Sequence, residues 1–151
     1  MIIKNKIRLF APPENIWGLI TDPMLMKTWN PRITAVVPIT PGTPQANSQY
    51  RIRYKLAAKE SNFLAEIMEY EELARLVLHF SGGNFPRRGF IQEIYEMFTD
   101  SKGTLLKQTV LIEKSGMGIA GRLSLRMRNV IGKSSGKRYL GRLKELTEGS
   151  F

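Results

Sequence analysis

The spacing of apolar positions changes twice along this chain. The opening Met1-Ile2-Ile3-Lys4-Asn5-Lys6-Ile7-Arg8-Leu9-Phe10 alternates as a strand does, and lacks the long apolar run and small-residue cleavage site of a secretory signal. Pro12-Pro13-Glu14 then suits a helix start. Proline's fixed φ fits the first turn, its missing N–H costs nothing there, and a carboxylate sits near the positive end of the dipole. Ile16, Leu19 and Ile20 share one helical face. Asp22-Pro23 breaks that helix and starts a second short one, running to Trp29-Asn30-Pro31. A loop rich in Pro and turn formers, 38–47, links two parts of one domain.

From Tyr50 the period is two: Ile52, Tyr54 and Leu56 alternate with Arg51, Arg53 and Lys55. A hairpin with Tyr54 opposite Ala65 sets Ile52 against Ile67 and Leu56 against Phe63, all on one face. The next hairpin, turning at Glu72-Leu73, sets Ile67 against Leu78 and Ala65 against Phe80. On the opposite face these registers align Arg53, Glu66 and His79 in one row. The turn Asp100-Ser101-Lys102-Gly103 pairs Thr99 with Thr104, Met97 with Leu106, Tyr95 with Gln108 and, on the outer side, Glu96 with Lys107.

The sheet so built has one apolar face that needs a cover. Only the stretch from Met117 to Glu148 can supply it. Leu123, Met127, Val130 and Ile131 fall at helical spacing, and Leu140, Leu143 and Leu146-Thr147 resume the stripe after Gly132, Ser135 and Gly136 interrupt it. Each glycine there costs about 0.5–1 kcal/mol relative to Ala, so either backbone lies close to the sheet or space is left for something else. The expected fold is α+β: a curved antiparallel sheet of about six to seven strands wrapped around a long C-terminal helix, with two short helices after the first strand. A single domain, 1–151, is expected from the length.

Composition narrows the chemistry. No apolar run reaches the ~18 residues that a spanning helix needs, and with no cysteine there is no disulfide framework or thiolate metal site. A cytoplasmic location is the default. The net charge of +10 is uneven: from Lys114 to Lys144 there are nine basic residues and no acidic ones. Such asymmetry attracts anionic partners, or is simply a solvated face. With only Tyr139 as an aromatic among these charges, nucleic-acid binding is not expected, whereas attraction to an anionic membrane surface is.

Two short motifs carry no site. Gly116-Met117-Gly118-Ile119-Ala120-Gly121 matches the dinucleotide fingerprint, but no later strand exists to complete a βαβ unit. Gly132-Lys133-Ser134 lacks the earlier glycine of a phosphate loop. The lone His79 should point outward beside Glu66, in a cross-strand role. Neither a metal nor a cofactor is expected. On the covered face the registers place Glu69, Glu93, Tyr95 and Gln108 among apolar neighbours. A carboxylate there must be paired, hydrogen-bonded or neutralised, and a raised pKa would suit acid–base work. Strand ends in water, or a slip of parity by one, would remove that reading.

Several of these residues resemble the START/Bet v 1-like (SRPBCC) superfamily, in particular its polyketide cyclase/dehydrase and lipid transport branch. They are Ala11-Pro12-Pro13-Glu14-Asn15-Ile16-Trp17, Asp22-Pro23, Trp29, Lys102-Gly103-Thr104-Leu105-Leu106 and Leu140-Gly141-Arg142-Leu143-Lys144. The resemblance implies a helix-grip fold over a hydrophobic cavity. It also implies binding of lipids, polyketides, steroids or other apolar ligands, with catalysis in a minority of members and no universal catalytic residue. It sets Trp29 near the cavity end. The expected lining is then Trp29, Tyr54, Ile67, Leu78, Tyr95, Leu106, Gln108, Met127 and Ile131. From its residues, Ser81–Arg88 reads either as a lip at the cavity mouth, with Phe85 as an apolar latch and Arg87 and Arg88 facing an anionic group, or as an ordinary loop. Three functions remain open: a non-enzymatic carrier of a hydrophobic small molecule, a cyclase/dehydratase-type enzyme using Glu93 or Glu69 with Tyr95, and an interaction module acting through its basic surface.

Overall fold

The period-two alternation becomes one antiparallel sheet of seven strands in the computed structural model, which describes residues 1–56, 59–83, 89–113 and 133–148. In chain order the elements are β1 (Ile2–Leu9), α1 (Pro13–Thr21), α2 (Pro23–Trp29), β2 (Ile33–Pro38), β3 (Gln49–Leu56), β4 (Lys59–Glu71), β5 (Arg75–Gly82), β6 (Phe90–Asp100), β7 (Gly103–Glu113) and α3 (Lys133–Glu148). The strands lie in the order β1-β7-β6-β5-β4-β3-β2. The two edge strands are therefore neighbours in sequence, and α1 and α2 carry the chain from one edge to the other.

Proline and aspartate set those helices. Pro13 opens α1 with Glu14 in its first turn, and the Asp22 side chain caps α2 by accepting from the Met24 N–H at 3.0 Å. Ile16, Trp17 and Ile20 of α1 and Met26 and Trp29 of α2 are buried. The Trp29 indole donates to the Leu19 carbonyl at 2.9 Å, locking one helix to the other. α3 turns Tyr139, Leu140, Leu143 and Thr147 inward and packs against β1, α1 and α2, while Leu146 remains exposed and leaves the predicted stripe. No helix among the described residues is long and apolar enough to cross a membrane.

The β4–β5 and β6–β7 registers are those expected, including Ile67 with Leu78, Ala65 with Phe80, Tyr95 with Gln108 and Thr99 with Thr104. The β3–β4 hairpin is tighter. Tyr54 faces Ser61 rather than Ala65, and Ile52 faces Phe63 rather than Ile67. An even-numbered slip keeps each side chain on its own face, so apolar alternation cannot distinguish the two pairings. As a result Arg53 pairs with Asn62 and leaves the expected row, in which Glu66 and His79 remain partners.

A β-bulge between Ile67 and Glu69 overturns a second expectation. One extra residue reverses the phase of the strand. Met68 and Glu69 both face solvent, and Tyr70 turns inward to accept a hydrogen bond from the Trp17 indole at 3.2 Å. Glu69 is thus not a cavity carboxylate. Its side chain is 56% exposed and pairs with Arg75 at 2.8 Å, while Arg75 also reaches Glu96 at 3.1 Å.

Candidate functional site

The inner face of the sheet collects polar side chains in one place. Asn5 on β1, Gln108 on β7 and Tyr95 on β6 occupy one row of the ladder, and Glu93 lies two residues along β6 on the same face. They form a directed chain of hydrogen bonds. Asn5 Nδ2 donates to Gln108 Oε1 at 3.1 Å, Gln108 Nε2 donates to the Tyr95 hydroxyl at 3.1 Å, and that hydroxyl donates to Glu93 Oε2 at 2.6 Å. Each donor points toward the carboxylate, so the links reinforce one another in a medium of low dielectric. Burial raises the Glu93 carboxyl above the ordinary glutamate value, and the Tyr95 hydrogen bond lowers it by less. Tyr95 is pushed well above the ordinary phenol value, chiefly by burial and then by the Glu93 charge.

Glu93 lies deep among surrounding protein atoms, as does Tyr54, yet both keep some accessible surface. Tyr54 comes from β3, on the far side of the curled sheet, and is close enough to Glu93 for the carboxylate charge to raise its pKa, after burial. The Asn30 side chain, just beyond α2, opposes that rise in part. Tyr139 on α3 completes the group. Its hydroxyl is buried without a well-aligned hydrogen-bond partner, although Tyr54 and Arg32 lie near enough to act on it. The Arg32 guanidinium stands 5.9 Å from the centre of the Tyr139 ring.

Around this polar group the expected lining residues Trp29, Ile67, Leu78, Tyr95, Leu106 and Gln108 all belong to the buried interior, with Gln108 the most accessible at 4%. Ile67, Leu78 and Glu93 share one row, and Trp29 packs edge-on against Tyr95 with ring centres 6.2 Å apart. These six side chains are buried, whereas Tyr54 and Glu93 are half-buried. Met127, Ile131, Phe85, Arg87 and Arg88 lie outside the described residues. His79 faces outward as expected, opposite Glu66 and 3.4 Å from the Gln92 amide. Sequence reasoning missed Asn5, Asn30, Arg32 and Tyr139. Asn5 had a signal, being the one polar residue among Ile3, Ile7 and Leu9 at the inward positions of β1.

The fold recurs in solved structures. A protein from Thermus thermophilus, TTHA0849, superposes with a TM-score of 0.77 at 17% identity, over 99% of both chains. A START superfamily protein from Mycobacterium smegmatis gives 0.76 at 14% identity, again over 99% of both. This chain has the START/Bet v 1-like helix-grip fold. Ginseng major latex-like protein 151 from Panax ginseng shares it as well, with a TM-score of 0.70 at 13% identity over 99% of this chain and 95% of that one. No protein-family model matches the sequence, and no curated protein matches it either. At these identities the likeness speaks for the helix-grip architecture, and the chemistry rests on the side chains described above.

Proposed function

We propose that this helix-grip chain acts as one domain that encloses an apolar small molecule, such as a lipid, polyketide-like compound or aromatic metabolite, between the concave sheet face and the C-terminal helix. The observation that carries the reading is a hydrogen-bonded polar group, Glu93, Tyr95 and Gln108, set in an interior otherwise built from Ile67, Leu78, Leu106 and Trp29. Affinity would come mainly from apolar burial, at about 25 cal/mol per Å² before the costs of association. In this reading the protein works in the cytoplasm, and the basic stretch from Lys114 to Lys144 draws the loaded carrier to anionic membranes.

A second reading gives Glu93 chemistry. The relay ending on a buried carboxyl with a raised pKa favours proton transfer to or from a bound ligand, as in a cyclase or dehydratase, with Tyr95 orienting the carboxyl. Native mass spectrometry of freshly purified protein tests the first reading, joined to a titration with a long-chain fatty acid and a polycyclic aromatic. A co-purifying apolar molecule, or a change in Trp29 emission on titration, supports it. A bare protein that takes up neither probe overturns it.

A further inference from the structure

The outer face of the sheet gathers three exposed lysines at its β1 edge. Ile2, Lys4, Lys6 and Arg8 point outward along β1, and Lys6 stands directly opposite Lys107 on β7. Like charges so paired have Cβ atoms about 5 Å apart and destabilise a sheet. The nearby carboxylates are engaged elsewhere. Glu96 faces Lys107 across the ladder but pairs with Arg75 at 3.1 Å, and Asp100 pairs with Arg8 at 2.9 Å. Among the described residues Lys4, Lys6 and Lys107 therefore form no ion pair. Lysines on an edge strand serve to keep other strands from pairing. That role does not call for Lys107, which lies one strand in, and α3 already packs against β1.

Exposed apolar side chains flank the lysines on the same face. Ile2 is 64% exposed beside Leu111 at one end, and Phe98 is 48% exposed beside Leu105 at the other. The Lys107 ammonium lies 4.9 Å from the centre of the Phe98 ring. At the Ile2 end a groove of about 250 Å³ is lined by Ile2, Phe90 and Leu111, together with Gln92 and Glu113. Resting on the membrane attraction proposed above, we propose that this face of β1, β7 and β6 is where the protein docks on an anionic lipid bilayer. Lys4, Lys6 and Lys107 meet headgroup phosphates, and Ile2 and Phe98 enter the acyl boundary. A phosphate between Lys6 and Lys107 turns their repulsion into two charge-assisted hydrogen bonds, while the apolar side chains leave water. An acidic polypeptide or a nucleic acid supplies the charge but no apolar depth for Ile2 and Phe98. Single-strand binding also calls for a row of stacking aromatics beside the cations.

Co-sedimentation of the intact chain with vesicles of phosphatidylglycerol and phosphatidylcholine, against phosphatidylcholine alone, tests this. Each lysine near an anionic surface contributes about 5-fold in affinity, so Lys4→Gln/Lys6→Gln/Lys107→Gln should bind on the order of 100-fold more weakly. Arg51→Gln/Arg53→Gln/Lys55→Gln removes the same charge from β3, four strands and about 20 Å from β7. That distance exceeds the Debye length of about 8–10 Å, so this variant should lose less than about 3-fold. Ile2→Ser/Phe98→Ser should weaken binding about 10-fold with all charges kept. If the first variant fails to fold, Lys6→Gln alone, expected about 5-fold weaker, still decides. Lysine variants that bind like the wild type, or a β3 variant that weakens binding as much, would overturn this face. Membrane attraction would then survive through the basic stretch 114–144. Tighter binding of poly-glutamate or a DNA oligonucleotide through the same lysines would assign the face to another partner and overturn the bilayer. No vesicle binding at all would remove the membrane attraction and the docking face together.

Discussion

Tyr95 and Glu93 stand two residues apart on β6, and the tyrosine hydroxyl donates to the carboxylate over 2.6 Å. So short a bond is expected where the acceptor carries charge. The same bond leaves Tyr95 free to accept from Gln108, whose amide is braced by Asn5. Four side chains from three strands thus aim one carboxyl at the interior.

The first consequence concerns pH. Burial raises the Glu93 carboxyl above its ordinary value of 4.5, so the folded protein keeps a proton that the unfolded chain has lost. The stability linked to this group is complete below 4.5. It declines as pH rises toward the folded-state value and levels off above it. Glu93→Gln should abolish that decline, so urea midpoints of wild type and variant should diverge as pH rises from about 4. Parallel curves across that range would rule out the raised carboxyl.

Removing the Tyr95 hydroxyl should be expensive. Tyr95→Phe strands a Gln108 N–H and a Glu93 oxygen in the interior, and each unmet buried group costs about 1–3 kcal/mol. The expected loss is about 2–4 kcal/mol in urea unfolding. It should come with a further rise of the Glu93 carboxyl, because the Tyr95 bond holds it down. Carbon NMR of the Glu93 carboxyl reads that shift directly, and an unmoved titration would contradict the relay.

Glu69 should behave as the opposite of Glu93. Its pairing with Arg75 is solvent-exposed, and exposed pairs contribute about 0–1 kcal/mol. Glu69→Gln should therefore change stability by less than about 1 kcal/mol and leave uptake of the polycyclic aromatic unaltered. A large loss of either would show that the bulge does not direct this side chain outward.

Two glycines separate backbone strain from helix propensity. Gly103 adopts φ +109° in the β6–β7 turn, and a Cβ there would lie 2.6 Å from the Leu9 carbonyl oxygen. Gly103→Ala should cost about 2–3 kcal/mol or more. Gly141 sits within α3, with no atom within 4 Å of an added Cβ. Gly141→Ala should raise stability by about 0.5–1 kcal/mol. Thermal melts of the two variants should move in opposite directions, and a shared direction would refute the assigned geometry.

Which residues alternate, where helices begin and which turns reverse the chain were legible in the order of residues, because these depend on neighbours a few positions away. Pro13, Asp22 and the turn Asp100–Gly103 act locally, and the β4–β5 and β6–β7 registers followed from local turns of this kind. That locality is also why the Tyr95–Gln108 pairing was legible. Three matters were left to the tertiary structure. The β3–β4 register slips by an even step that no alternation pattern records. The bulge after Ile67 turns Tyr70 onto Trp17 and sends Glu69 outward. The meeting of Tyr54, Glu93 and Tyr139 joins a strand, the opposite side of the curled sheet and the last helix, and only closure of the fold brings such distant segments together.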